Sequence, residues 1–285
     1  MESTSCKLLI ALLGLIALVS TVSGSFGVRE PLPQVLLDAQ TVCVKYLGIC
    51  ESRLMQYNNS VYPADRDTMR MVRCVGIIIG FWDDSKGMLM DGFVSLYPQL
   101  ADDSSAQRRI LSCAERRLAA CIPEDVSAKT FNAFHCFLEV RKNDLNVRES
   151  DLQQQSDPQM PFSGADFMKS LLVCAKILRV PPNMVQMYRQ GIFPKDDQTQ
   201  CVIRCLGIRT ELYDDERGPN LARLYTQFGG GQSEVDFRRR AAICMNANQH
   251  LASAQNKCAQ AYRKLYLCFK DAFGALTRAN ANAML

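Results

Sequence analysis

The residues with the most chemical potential in this chain are its cysteines, and their spacing points to sulfur–sulfur bonding. There are thirteen. Cys43, Cys74 and Cys113 recur 131 residues later as Cys174, Cys205 and Cys244, and Cys136 recurs one residue late as Cys268. In the second set the intervals are 26, 3, 38, 13 and 9 residues. Cys201 and Cys205 stand four apart, hence on one helix face, where side chains run parallel and do not converge into disulfide geometry. Each is expected to reach a different neighbouring helix. Six cysteines allow fifteen pairings, and spacing does not choose among them. Removal of a leader carrying Cys6 leaves twelve of the thirteen, an even count, and that leader implies an oxidising compartment. Both disfavour a metal held by Cys201 and Cys205.

Other chemistries find little support. There are only two histidines, His135 and His250, with no histidine–aspartate pair beside a cysteine and no glycine-serine elbow. Bridged cysteines leave no thiol nucleophile, so no enzyme is expected, and no catalytic residue or cofactor. His135 reads as a helix surface or core residue. "WDDSKG" and "YDDERG" look like calcium loops but lack oxygen ligands in the required order. They read as helix ends followed by solvated turns, with Gly87 and Gly218 left-handed. "FGGGQ" lacks the lysine and hydroxyl residue of a phosphate loop. Asn58-Asn59-Ser60 fits a glycosylation acceptor at Asn58.

The elements that must hold these cysteines follow from the rest of the chain. Residues 1–24 combine Lys7, an apolar run from Leu8 to Val19 and small residues at Val22 and Gly24. That reads as a cleaved secretory signal, too short to span a membrane comfortably. Cys6 leaves with it, so an even set of cysteines remains for an extracellular protein. A net charge of +4 is too mild to imply nucleic acid, and Arg238-Arg239-Arg240 reads as a solvated helix face.

Beyond the signal the chain states one unit twice. "MRMVRCVGIIIGFWDDSKG" at 69–87 returns as "QCVIRCLGIRTELYDDERG" at 200–218, with Arg70 where the second copy has Cys201. Two domains, 30–145 and 164–285, are expected around a polar linker at 146–163. Apolar residues fall at helical spacing in "QVLLDAQTVCVKYLGICESRLM", "DFMKSLLVCAKIL" and "AQAYRKLYLCFKDAF", and breakers such as "VPPN" and "IPED" separate the segments. No run alternates, so no sheet is expected. Units of this size bury a modest fraction of their surface, and each cross-link is expected to contribute ~2–4 kcal/mol.

Long, three, long, medium and short intervals in a secreted helical unit resemble the insect odorant-binding protein family, and the doubling resembles its two-domain mosquito members. The resemblance covers nearly all of the chain beyond the signal. It implies an all-α fold of two tandem six-helix domains, with Cys174 joined to Cys205, Cys201 to Cys258 and Cys244 to Cys268. The last interval is nine where the family usually has eight, which fits a small bulge or a shifted helix end. Carried to the first unit, the pattern gives Cys43–Cys74 and Cys113–Cys136. Arg70 removes the second position and none replaces the fifth. Cys50 and Cys121 stand on the faces of Cys43 and Cys113, which leads to the expectation of a relocated Cys50–Cys121 bridge.

The family implies a carrier of small apolar molecules, such as odorants, pheromones or fatty derivatives, taken up without chemical change. Met184, Met187, Tyr188, Phe193, Leu206, Leu224, Tyr225, Phe228, Tyr262, Tyr266 and Phe269 are the expected lining in the second unit. Met69, Ile77, Phe81, Trp82, Met88, Phe93, Tyr97 and Phe134 are the counterparts in the first. Ordinary core has the same composition. Burying roughly 300 Å² of ligand at ~25 cal/mol/Å² gives about 7 kcal/mol before losses, which suits micromolar carriage. A chemoreceptor or the extracellular matrix is the expected macromolecular partner; nucleic acid and membrane insertion are not expected. The alternatives are a disulfide-hardened coat protein and a salivary scavenger of amines and lipid mediators.

Overall fold

The structure is a computed structural model that describes residues 32–122, 124–144, 160–248 and 256–281. The proposed signal, most of the linker and His250 lie outside the described residues. The chain divides into two compact units, Met1–Gln153 and Gln154–Leu285. Both are all-α.

In unit 1, α1 (Gln34–Leu47), α2 (Glu51–Asn58) and α3 (Arg66–Ile79) are followed by a small ribbon, β1 (Trp82–Asp83) and β2 (Gly87–Met88). Then come α4 (Met90–Leu96), a 3-10 turn at Pro98–Leu100, α5 (Ser104–Ala119) and α6 (Val126–Asp144). Unit 2 repeats the order with α7 (Gly164–Ile177), α8 (Pro182–Arg189), α9 (Asp197–Arg209), β3 (Tyr213–Asp214), β4 (Gly218–Pro219), α10 (Leu221–Phe228) and α11 (Glu234–Asn248). Its last helix runs as α12 (Lys257–Ala261), a π turn (Tyr262–Tyr266) and α13 (Leu267–Ala281).

The ribbons correct the expectation of no sheet. Trp82 pairs with Met88 and Asp83 with Gly87; Tyr213 pairs with Pro219 and Asp214 with Gly218. Two-residue strands are too short to leave an alternating pattern in sequence. Asp83 and Asp214 fold the turns, each side chain accepting hydrogen bonds from the backbone N–H groups two and three residues on, at 3.0–3.3 Å. Gly87 and Gly218 close them at φ +82° and +77°, where a Cβ would be strained. Gly76 and Gly207, one turn upstream on α3 and α9, let the ribbons lie against the helices. A Cβ on Gly76 would stand 2.7 Å from Phe81, and one on Gly207 2.7 Å from Tyr213.

The repeat extends to hydrogen bonds that keep the 131-residue register. Asp65 caps α3 through Thr68 N–H at 2.9 Å, and Asp196 caps α9 through Thr199 N–H at 2.8 Å. The same threonine hydroxyls meet Tyr57 and Tyr188 at 3.1 and 2.8 Å. Both tyrosines are fully buried, so the partner removes the penalty of an unmade hydrogen bond in the core. At α7, Ser163 and Asp166 form a reciprocal capping box, which satisfies two orphan N–H donors.

Five disulfides lie among the described residues. Cys43 on α1 joins Cys74 on α3, and Cys113 on α5 joins Cys136 on α6. Cys174 on α7 joins Cys205 on α9, Cys201 on α9 joins Cys258 on α12, and Cys244 on α11 joins Cys268 on α13. Helix α9 is thereby fastened to α7 from one cysteine and to α12 from the other. Arg70, where unit 1 lacks that second anchor, is exposed and makes a long contact to Asp67 at 3.9 Å.

The expected Cys50–Cys121 bridge is not formed. Cys121 is a free thiol, donating to Arg117 O at 3.3 Å and accepting from Asn132 Nδ2 at 3.2 Å. Cys50 is disulfide-bonded, so it has no sulfur to offer Cys121. The expectation failed because α1 does not continue to Cys50. Gly48 turns left-handed at φ +66° and ends the helix, so Cys50 caps α2 and no longer shares a face with Cys43. Cys121 likewise lies past the end of α5, in the turn closed by its N–H to Leu118 O.

Candidate ligand site

The bridges Cys113–Cys136 and Cys244–Cys268 span 23 and 24 residues. The extra residue in unit 2 falls in a stretch that runs as a π turn, Tyr262–Tyr266. A π turn holds one residue more than the α-helical turn it replaces, and such bulges recur at functional sites. The backbone leaves helical angles again at Phe269, φ −129° and ψ 21°. These two irregularities fall on three expected lining residues, Tyr262, Tyr266 and Phe269.

Two aromatic groups meet there. Tyr188, Phe193, Tyr266 and Tyr262 form a connected set, with centroid distances of 5.3, 5.3 and 4.9 Å. Tyr262 donates its hydroxyl proton to Phe193 O at 2.8 Å. Burial first, then Tyr266 and Asp196, push its phenol up to about 12. Phe273, fully buried, joins this set to the second through Tyr266 at 5.8 Å and Phe228 at 6.0 Å.

The second group borders open space. Phe228 at the end of α10, Phe237 on α11 and Phe269 on α13 line a groove of about 310 Å³. Their rings lie 6.1 Å apart for Phe228–Phe269 and 5.8 Å for Phe237–Phe269. Ala241, Leu267 and Cys268 continue the apolar wall, and Arg240, Lys270 and Asp271 stand at its edge. The Cys244–Cys268 bridge ties the two helices that form its sides. Tyr225 backs Phe237 at 5.6 Å and donates to Gln232 O at 3.0 Å.

Of the lining expected in unit 2, Phe228 and Phe269 therefore border this groove and Tyr225 supports it. Leu206 and Leu224 are fully buried, and Met184 and Met187 are half-buried on α8. Phe237 and Phe273 were missed. Phe273 follows Phe269 by four residues on one face, so its spacing carried a usable signal. Phe237 sits among charged residues in "EVDFRRR", which masked its inward face.

In unit 1 the expected residues chiefly meet one another. Phe81 stacks on Phe93 at 4.7 Å and on Phe134 at 5.5 Å. Phe137, not expected, joins Phe93 at 4.6 Å and Tyr97 at 5.3 Å. Trp82 is buried and donates Nε1–H to Asp84 at 3.0 Å, which binds it to the ribbon. Met88 is half-buried in β2, as is Met69 on α3, whereas Ile77 is buried. His135 packs on Phe131 at 4.6 Å. Asn58 is exposed at the end of α2, its Oδ1 accepting from Gln40 at 3.1 Å.

No cluster of metal ligands occurs among the described residues, and no described helix is long and apolar enough to cross a membrane. Comparison with known proteins agrees with the helical, cysteine-bridged architecture in both units. Over 105 residues the chain is 29% identical to odorant-binding protein 22 of Aedes aegypti, covering 37% of this chain and 72% of that protein. Over 100 residues it is 30% identical to general odorant-binding protein 99a of Drosophila melanogaster, covering 34% and 68%. Residues 28–140 and 157–272 each match the family described as PBP/GOBP. Matched twice over most of its length, the chain belongs to the PBP/GOBP family.

Proposed function

We infer that the protein is a secreted carrier that binds small apolar molecules, without chemical change, in the aromatic groove of unit 2. Membership of an odorant-binding family supports a small-ligand carrier role in general. The observation that carries the finer reading is the trio Phe228, Phe237 and Phe269 facing a space of about 310 Å³. Large apolar side chains bordering open space forgo contacts that a ligand would supply. Odorants, pheromones and fatty derivatives have the matching chemistry. Secretion is supported by five disulfides, which persist in oxidising compartments, and by the leader-like composition of residues 1–24.

Unit 1 is the poorer candidate for the pocket, because its aromatic rings already stack against each other from Tyr62 to Phe137. The test is titration of the full chain with N-phenyl-1-naphthylamine. Saturable binding that Phe269→Ala weakens at least fivefold supports the reading. Binding unaffected by Phe269→Ala moves the site elsewhere, and no saturable binding favours a packed structural protein.

A further inference from the structure

On helix α5 of unit 1, Arg108 and Arg116 have no ion pair among the described residues, unlike the paired arginines of its counterpart in unit 2. On α11, Arg238 pairs with Glu234 at 2.6 Å and Arg239 with Asp236 at 2.8 Å. In the 131-residue register Arg239 and Arg240 correspond to Arg108 and Arg109, but Asp236 corresponds to Ser105. Glu234 corresponds to Asp103, which is occupied in capping α5 through Ala106 N–H at 2.8 Å. Unit 1 then adds Arg116 and Arg117 where α11 has Ala247 and Asn248.

These residues border a cleft of about 640 Å³ between α5 and α6, lined by Arg108, Arg109, Arg116, Ser105 and Ser112 with Glu139 opposite. Glu139 is the single acid of that lining, and Arg117 holds it at 2.6 Å. Arg109 is steadied by Ser105 Oγ at 3.0 Å. Arg108 and Arg116 are exposed and form no ion pair among the described residues. The Cys113–Cys136 bridge joins the two walls, so the cations are presented on a fixed frame.

We propose that this α5–α6 cleft binds the sulfate groups of an extracellular sulfated glycan. Arg108 and Arg116 are eight residues apart, about 12 Å along the helix at ~1.5 Å per residue, a span that calls for several anionic groups on one extended chain. Guanidinium forks match tetrahedral oxyanions in bidentate fashion, which lysines do not. The cleft is open and nearly free of large apolar side chains, which suits a polar polymer better than a membrane surface. Such attachment would hold the carrier in a matrix while the groove of unit 2 stays available, and it does not depend on that groove having a ligand.

The test is fluorescence anisotropy of a labelled heparin-derived dodecasaccharide titrated with the full chain, beside its desulfated form. The sulfated form is expected to bind, with affinity falling as salt rises, because counterions are released on binding. R108A/R109A/R116A is expected to lose at least tenfold, and R108A alone about threefold. R238A/R239A in unit 2 should stay within twofold of the parent. Because the three arginines are exposed, circular dichroism and the melting temperature should not change. Equal binding by the triple variant, equal binding of the desulfated form, or binding to phosphatidylserine vesicles without saccharide binding would each overturn the proposal.

Discussion

Arg204 on α9 grips Asp215 just beyond strand β3 across eleven residues, with Nε at 2.8 Å from Oδ1 and both side chains 10% exposed. Arg73 and Asp84 repeat the contact in unit 1, with Nε–Oδ1 at 3.0 Å and exposures of 12% and 24%. This pair explains why the second aspartate of "WDD" and "YDD" recurs. The first aspartate makes the turn, and the second locks the ribbon to the helix carrying a bridged cysteine.

Removing one partner from such a pair strands the other. Arg204→Met is expected to cost about 3 kcal/mol, the low end for a buried pair, because Lys257 Nζ remains 3.7 Å from Asp215. Arg73→Met should cost less, about 1–2 kcal/mol, since Asp84 keeps more solvent. Urea denaturation of the two full-length variants measures the order. An equal or reversed order would mean that the ribbon is not held by this contact.

Cys121 should be the thiol that alkylates without reduction. Mass mapping of an unreduced digest is expected to find Cys121 modified and the five pairs Cys43–Cys74, Cys113–Cys136, Cys174–Cys205, Cys201–Cys258 and Cys244–Cys268 intact. Cys121→Ser should leave stability within about 1 kcal/mol, because the hydroxyl can donate to Arg117 O as the thiol does. A peptide linking Cys50 to Cys121 would contradict the structure.

The π turn offers a length test. Deleting Lys264, which lies within Tyr262–Tyr266, gives unit 2 the 23-residue separation found in unit 1. Helix content should survive, because a regular α-helix replaces the bulge. An α turn in place of the π turn keeps the flanking helices in phase but re-aims the side chains within Tyr262–Tyr266 that pack on Phe193 and Phe273. Probe affinity should therefore fall at least fivefold. Unchanged affinity would separate the bulge from the groove.

Alkaline pH should weaken unit 2 through Tyr262. An unfolded phenol titrates near ~10, and in the fold this one is pushed up to about 12. Its contribution is full below pH 10 and is lost as pH rises from 10 to 12, by up to ~1.4 kcal/mol per pH unit. Tyr213, raised to about 12 chiefly by burial, acts in the same direction. Tyr262→Phe should therefore be less stable at pH 9, having lost the bond to Phe193 O, yet show a shallower decline to pH 11 in urea midpoints.

How much of this was legible depended on whether a feature left a period in the sequence. The helices did, and so did the six-cysteine unit, because a cysteine interval survives any side-chain packing detail. The ribbons did not, since Trp82–Asp83 and Gly87–Met88 are too short for alternation. Arg73 and Arg204 stood in the two quoted copies at matching positions, but as ordinary helix-face charges they gave no sign of reaching eleven residues ahead. Helix ends were the weakest inference: running α1 past Gly48 put Cys50 on the wrong face. For the groove, aromatic spacing placed Phe228 and Phe269 near each other in kind, yet only packing distinguishes a ring that borders space from one that fills it. Phe81 and Phe93 show that ambiguity.

The most direct measurement of the carrier account is competitive displacement of N-phenyl-1-naphthylamine from the full chain by a long-chain aliphatic alcohol, run beside Phe228→Ala and Phe269→Ala. The account predicts saturable, micromolar displacement from the parent, weakened at least fivefold in both variants, with Trp82 emission in unit 1 unchanged. No saturable binding, or binding that quenches Trp82 and ignores both substitutions, would contradict it.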